Sequence, residues 1–260
     1  MGHEALLSDP ALHARWASVG SNNPNDSTAG GRNAIWGGAA LYEPKPAGVP
    51  VEGASFRFDR TTWLGGINLG LTTNTITLMA WVLDDDSAVA GSGLLFNRAG
   101  GLVNGLNVAN NDRDHWGFHW NTVPATYDWA SGPLRTPGQW QHVALRISPT
   151  SAVIQVQSPG GQPTESVLAG TYASVAAGAS FEVGRDSVFV PPGRYWGGQM
   201  NDIRAYSRTL SFAEVASIAV LSRRGRLTAR NNHVAQAIAI PTARDVIAHP
   251  GHNLASGASR

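Results

Sequence analysis

The chain has 260 residues, 30 of them glycine, with only 14% charged residues and a formal net charge of +1. It has no cysteine, which excludes a disulfide-stapled scaffold and thiol chemistry and leaves the redox compartment open. No stretch approaches about 18 continuous apolar residues, so no membrane insertion is expected.

The opening MGHEALLSDPALHARW lacks a basic run followed by an apolar block, which predicts a soluble chain made without a cleaved signal peptide. Residues 1–52 read as an N-terminal arm with room for a short helix near its start. The runs SNNPNDSTAGGRN and YEPKPAGVP are dense in turn formers and prolines, which resist both helix and central strand. Regular patterning begins at Ala54. ASFRFD alternates Phe56 and Phe58, and TITLMAWVL is apolar on both faces, as a central strand covered on both sides should be. GLLFNR, GLNVAN, HWGFHWN, WQHVALRIS, AVIQVQ, SVLAG, SFEVGR and MNDIRAY follow as further short strands. Turn signals such as SPGGQP separate them. This spacing predicts an antiparallel two-sheet sandwich over residues 53–221.

DHWGFHW sorts by period two. Trp116, Phe118 and Trp120 share one face, read as core, and His115, Gly117 and His119 share the other, read as solvated. The two histidines stand about 13 Å apart on a strand rising about 3.3 Å per residue, too far to hold one ion. One helix is marked by a capping box, Ser211 with Glu214, flanked by a Leu210/Val215 staple. Arg223 and Arg224 meet its negative end and Gly225 can close it.

Residues 222–260 form a basic C-terminal arm. Six arginines against Asp245 give it a charge of +5, and the rest of the chain is −4. The charge is sparse, broken by alanine and isoleucine and without aromatic interleaving, so nucleic acid is not the expected partner. The patch AQAIAI can add as an edge strand to another sheet.

Taken in order, SFRFD, TITLMAW, WQHVAL, EVGR and GGQMNDIRAYSRTLSFAEV make residues from about Ala54 to Ile218 resemble the laminin-G-like, concanavalin-A-like lectin/glucanase jelly-roll superfamily. The resemblance implies an all-β fold of two curved antiparallel sheets. Alone it implies no activity, because this scaffold hosts sugar binders, protein binders, glycosidases and spacers. It does imply calcium as the metal to consider, with Asp59 and Asp202 as candidate ligands. Arg60 stands where the family often has glycine, and both acids could instead pair with arginines such as Arg57 or Arg204.

Hydrolysis of a glycosidic bond needs two carboxyls roughly 5 to 9.5 Å apart, and none of the six glutamates sits in such a pattern. Asp84, Asp85 and Asp86 are adjacent and read as the end of a strand and its turn. There is no Gly-x-Ser-x-Gly elbow or phosphate loop, the sole lysine is Lys45 in the arm, and His142 reads as structural. No catalytic residue is expected. Sugar recognition needs exposed rings beside directed hydrogen-bonding groups, which selects Tyr127, Asp128 and Trp129 in the 121–138 loop, with Arg113, His115 and His119 adjoining. Trp129 packed beneath its own loop is the alternative.

Two functions fit. One is an outward-facing subunit of a larger assembly, of virion decoration or fibre type, laced by its arms to other copies or another subunit and able to bind surface glycans. The other is a stand-alone carbohydrate-binding or adhesion module. The expected location is the surface of a virion or other extracellular assembly.

Overall fold

The computed structural model describes residues 9–17, 24–43, 54–99, 102–121, 123–177, 180–187 and 193–221. The expectations for the C-terminal arm, including AQAIAI and the Arg223–Gly225 helix close, fall outside them. Sixteen strands lie among the described residues. They begin with β1 (Leu12–Trp16), β2 (Ile35–Gly37), β3 (Leu41–Glu43), β4 (Ser55–Asp59), β5 (Trp63–Ile67) and β6 (Leu71–Thr73). The long central strands are β7 (Ile76–Asp84), β8 (Gly93–Ala99), β9 (Leu102–Val108), β10 (Trp116–Trp120), β11 (Trp140–Ser148) and β12 (Ser151–Gln157). β13 (Thr164–Ala169), β14 (Val175–Ala177), β15 (Phe181–Val183), β16 (Gly197–Tyr206) and helix α1 (Phe212–Leu221) complete the order.

Sheet A runs β13-β12-β11-β7-β16-β4-β3 with β1 also on β16. Sheet B runs β10-β9-β8-β15-β5-β2, and a two-stranded sheet joins β14 to β6. The pairings are antiparallel, giving the expected jelly-roll sandwich. β7 shows why its sequence is apolar on both faces. Ile76, Leu78, Ala80 and Val82 enter the core between the sheets, whereas Met79 packs in the cluster under α1 and Trp81 packs with Trp140 and Ala219. The helix adds Val215 and Ile218 to that outer layer, each worth about 1.5–3 kcal/mol when fully buried. Its capping box is formed: the Ser211 N–H donates to Glu214 Oε2 at 2.8 Å and the Glu214 N–H donates to Ser211 Oγ at 3.3 Å. No helix among the described residues is long and apolar enough to cross a membrane.

The N-terminal segment corrects the sequence reading. Residues 9–43 are no free arm, and LHARW is a strand, not a helix. β16 is ten residues long, and β4 pairs only with its first part, Gly197 to Met200. β1 takes the second part, Ile203 to Tyr206. At the changeover the register shifts and Asp202 adopts φ +48°. β2 then extends sheet B and β3 extends sheet A. Trp16 is fully buried, donates its indole N–H to the Arg32 carbonyl at 2.8 Å and stacks on Phe181 of the opposite sheet at 6.3 Å. A segment rich in turn formers is therefore retained by one large ring and a vacant strand position.

Candidate functional site

Sheet B sends Leu64, Val183, Leu95, Leu106 and Phe118 into the core, so the residues alternating with them face outward. The pairings Ile35↔Gly65, Glu182↔Phe96, Phe96↔Gly105 and Gly105↔His119 set those outward residues in one row across the sheet. Gly105 is required there: φ is +141° and a Cβ would fall 2.2 Å from the Leu95 carbonyl oxygen.

At the β5 end, Trp63 lies so close over Gly37 that a Cβ there would sit 2.0 Å from the ring. Arg185 stacks on Trp63 with its guanidinium carbon 3.8 Å from the ring centroid, a cation–π contact. Arg185 also pairs with Glu182 and donates to the Tyr195 hydroxyl at 3.1 Å, and Tyr195 meets Trp63 edge-on at 5.8 Å. Beside them the fully buried Asp186 is clasped by Arg98 through Nε and Nη2, with Arg194 at 3.7 Å.

His119 forms the β10 end and is 4% exposed, which corrects its reading as a solvated residue. Its ring nitrogens lie 3.1 Å from the Asn107 amide and 3.0 Å from the Asn110 amide. A neutral imidazole has one donor and one acceptor, so one asparagine must offer its oxygen and the other its NH₂. Burial drives the His119 pKa down to about 4, keeping the ring neutral. The ring fills the space between Phe96, edge-on at 5.5 Å, and Tyr127 at 5.0 Å.

The 121–138 loop wraps the edge of β10. Thr126 Oγ1 accepts the Trp120 N–H at 2.9 Å and the Pro133 carbonyl accepts the Trp116 N–H at 2.9 Å. This wrapping separates the ring pair that sequence reasoning grouped together. Tyr127 touches outward His119, whereas Trp129 packs edge-on to inward Phe118 at 5.2 Å and anchors its own loop. Asp128 is exposed and acts on His119 electrostatically. His115 bonds Asp112 at 2.8 Å and Arg113 pairs with Asp86 at 2.8 Å, so the contacts of both are with the neighbouring turns rather than the row. Sequence reasoning missed Trp63, Arg98, Asn107, Asn110, Glu182, Arg185, Asp186 and Tyr195. Only the glycines of WLGGI and the Gly-Arg of EVGR hinted at close packing there. Among these groups, Arg185 Nε and one amide atom on each of Asn107 and Asn110 are buried with no hydrogen-bond partner among the described residues.

The two candidate calcium ligands do not share a site. Asp59 lies opposite Gly197 on β16, five residues or about 16 Å from Asp202 along the strand. Asp59 accepts from Thr61 N and Oγ1 at 2.9 and 2.7 Å and from Thr62 Oγ1 at 3.1 Å. Burial alone would raise the Asp202 carboxyl, but Arg204 and Arg15, both at 2.7 Å, hold it far below the usual carboxylate range. Asp59 and Asp202 thus stand apart, and no group of three or more His, Asp or Glu among the described residues could hold a metal ion. Arg60 has φ +67°, the left-handed conformation glycine adopts readily. Asp84 is buried against Arg135, while Asp85 and Asp86 reach Arg57 and Arg113 from the turn after β7.

A family model described as the concanavalin A-like lectin/glucanases superfamily matches residues 62–216. Among solved structures, domain 4 of AbnA, a GH43 extracellular arabinanase from Geobacillus stearothermophilus in complex with arabinotriose, is similar at a TM-score of 0.61 and 16% identity, covering 80% of this chain and 98% of that one. Trypanosoma rangeli sialidase in complex with a difluoro-KDN is similar at a TM-score of 0.50 and 18% identity, covering 82% of this chain and 32% of the sialidase. None of the curated proteins compared matches the sequence.

Proposed function

The chain belongs to the concanavalin A-like lectin/glucanase superfamily, and from that premise we propose that it is a non-catalytic glycan-binding protein whose contact surface is the outer face of sheet B. One observation carries the reading: two partly exposed rings, Trp63 and Tyr127, stand at the two ends of a row of polar side chains on this face. A sugar packs its C–H groups against an aromatic side chain, and its hydroxyls need directed donors and acceptors, for which the partly exposed Arg185 and Asn110 stand beside the rings. From β5 to β10 the row crosses four strand spacings, about 19 Å, which suits an oligosaccharide better than a single sugar.

The absence of catalysis rests on the carboxylates of this face. A glycosidase needs one protonated acid and one free carboxylate flanking the scissile bond. Here Glu182 is paired with Arg185 and Asp186 with Arg98 and Arg194, so both carboxylates of this face are engaged by guanidiniums. We also propose that the partners include other copies of the chain or another subunit of an extracellular or virion-surface assembly. The support is the +5 charge of residues 222–260 against −4 for the remainder.

An oligosaccharide array that includes arabinan fragments tests the site. Trp63→Ala and Tyr127→Ala should each weaken binding about tenfold, while both proteins keep a cooperative melt. Binding unchanged in both variants would move the site elsewhere, and release of reducing sugar by the purified wild type would end the non-catalytic reading.

A further inference from the structure

A second site lies apart from sheet B, where β1 meets the 24–33 loop. A groove of about 580 Å³ there has Asp9, His13, Arg15, Ser27, Thr28 and Arg32 as its polar lining. Asp26 makes the loop rigid by accepting from the Arg15 N–H at 3.0 Å, the Thr28 N–H at 2.9 Å, Thr28 Oγ1 at 2.8 Å and the Arg32 N–H at 3.0 Å.

The acceptors around the groove are committed. The Asp9 carboxylate takes the Ala11 N–H at 2.8 Å and Arg208 Nε at 3.1 Å. The His13 carbonyl takes Thr28 Oγ1 at 3.3 Å and Arg32 Nη1 at 2.8 Å, and the His13 ring bonds the Leu69 carbonyl. The donors are not all committed. Arg15 uses Nε on Asp202 and Arg32 uses Nη1, so most of the N–H groups on two half-buried guanidiniums have no acceptor among the described residues. Net charge does not decide the matter, because Arg15, Arg32, Arg204 and Arg208 are matched by Asp9, Asp26, Asp202 and Glu214. The surplus of planar donors does, since a guanidinium fork fits two oxygens of one anion.

We propose that this groove binds an oxyanion, the carboxylate, sulfate or phosphate group of a small acidic ligand, between Arg15 and Arg32, with Pro10, Leu12 and Ala29 against the ligand's less polar part. The proposal is independent of the sheet B reading.

The test is isothermal titration of the full chain with sodium sulfate, sodium phosphate and sodium glucuronate, with sodium chloride at matched ionic strength and glucose as controls. Saturable binding of at least one oxyanion, weakened about tenfold or more in Arg32→Ala, is the expected result. Sulfate or phosphate binding alone identifies a free inorganic anion, and glucuronate binding alone identifies a sugar acid; either supports the site. Arg32→Lys keeps the charge without the fork and should retain intermediate affinity, and it replaces Arg32→Ala if that variant does not fold. Affinity lost in Trp63→Ala but retained in both Arg32 variants would overturn the proposal, as would oxyanion heats no larger than those of chloride.

Discussion

His119 and His142 lie on opposite outer faces of the sandwich and are kept neutral by the same cause. His142 is fully buried on β11 beside Trp81, edge-on at 5.4 Å, and burial drives its pKa down to about 3, as it drives that of His119 to about 4. Both folded values fall below the ordinary 6.5, so the native state binds fewer protons than the unfolded chain. Their contribution to stability is complete above about pH 6.5 and is lost as pH falls toward 4. The melting temperature should therefore drop between pH 7 and 4.5, and the drop should be smaller in His119→Gln, which keeps a donor and an acceptor for the two asparagines. An equal drop in the variant would mean that His119 is not the group responsible. At this scale the sequence showed the period of DHWGFHW and hence the inward ring face. It could not show that the histidine face was covered, because Asn107, Asn110 and Tyr127 come from β9 and the loops and meet His119 only through strand pairing and the wrapped edge.

Helix α1 was legible from its cap, because Ser211, Glu214 and the flanking apolar pair act within six residues. The hydrogen bonds of Arg208 to Glu214 pull that carboxyl down to about 2 from 4.5, with the Ser211 contacts adding to the effect. A depressed acid contributes stability above its unfolded pKa and loses it as pH falls from about 4.5 to 2. Glu214→Gln should cost about 1 kcal/mol at pH 7, measured by chemical denaturation, and almost nothing at pH 2. β1 is the contrary case. LHARW has only two alternating apolar residues turned inward and is bounded by turn-rich sequence, so nothing local marks it as a strand. The half of β16 left vacant by β4 makes it one. Trp16→Ala should destabilise by about 3–5 kcal/mol, because the cavity opens between the sheets against Phe181. A loss below about 1 kcal/mol would show that Trp16 is not part of the core.

For the whole molecule, the integration of residues 9–43 changes what can be cut away. A chain of residues 53–221 loses β1, β2 and β3 together, leaving unpaired strand edges on both sheets and Trp36 missing from its contacts with Phe56 and Phe58. It should aggregate or show no cooperative transition in calorimetry. A monomeric, cooperatively melting 53–221 protein would return residues 9–43 to the status of an arm. The sandwich itself was determined by the sequence alone. Inward-outward alternation recurs in strands such as β4, β10 and β11, β7 is apolar on both faces, and burying those faces together is the largest favourable contribution available to the chain. The site was decided only by the tertiary structure. Its residues come from five strands and three loops, and side chains there take their roles from partners distant in sequence: Arg98 from Asp186, His119 from two asparagines, Trp63 from Arg185. Periodicity reports which way a side chain points, and only the register between strands reports what it meets there.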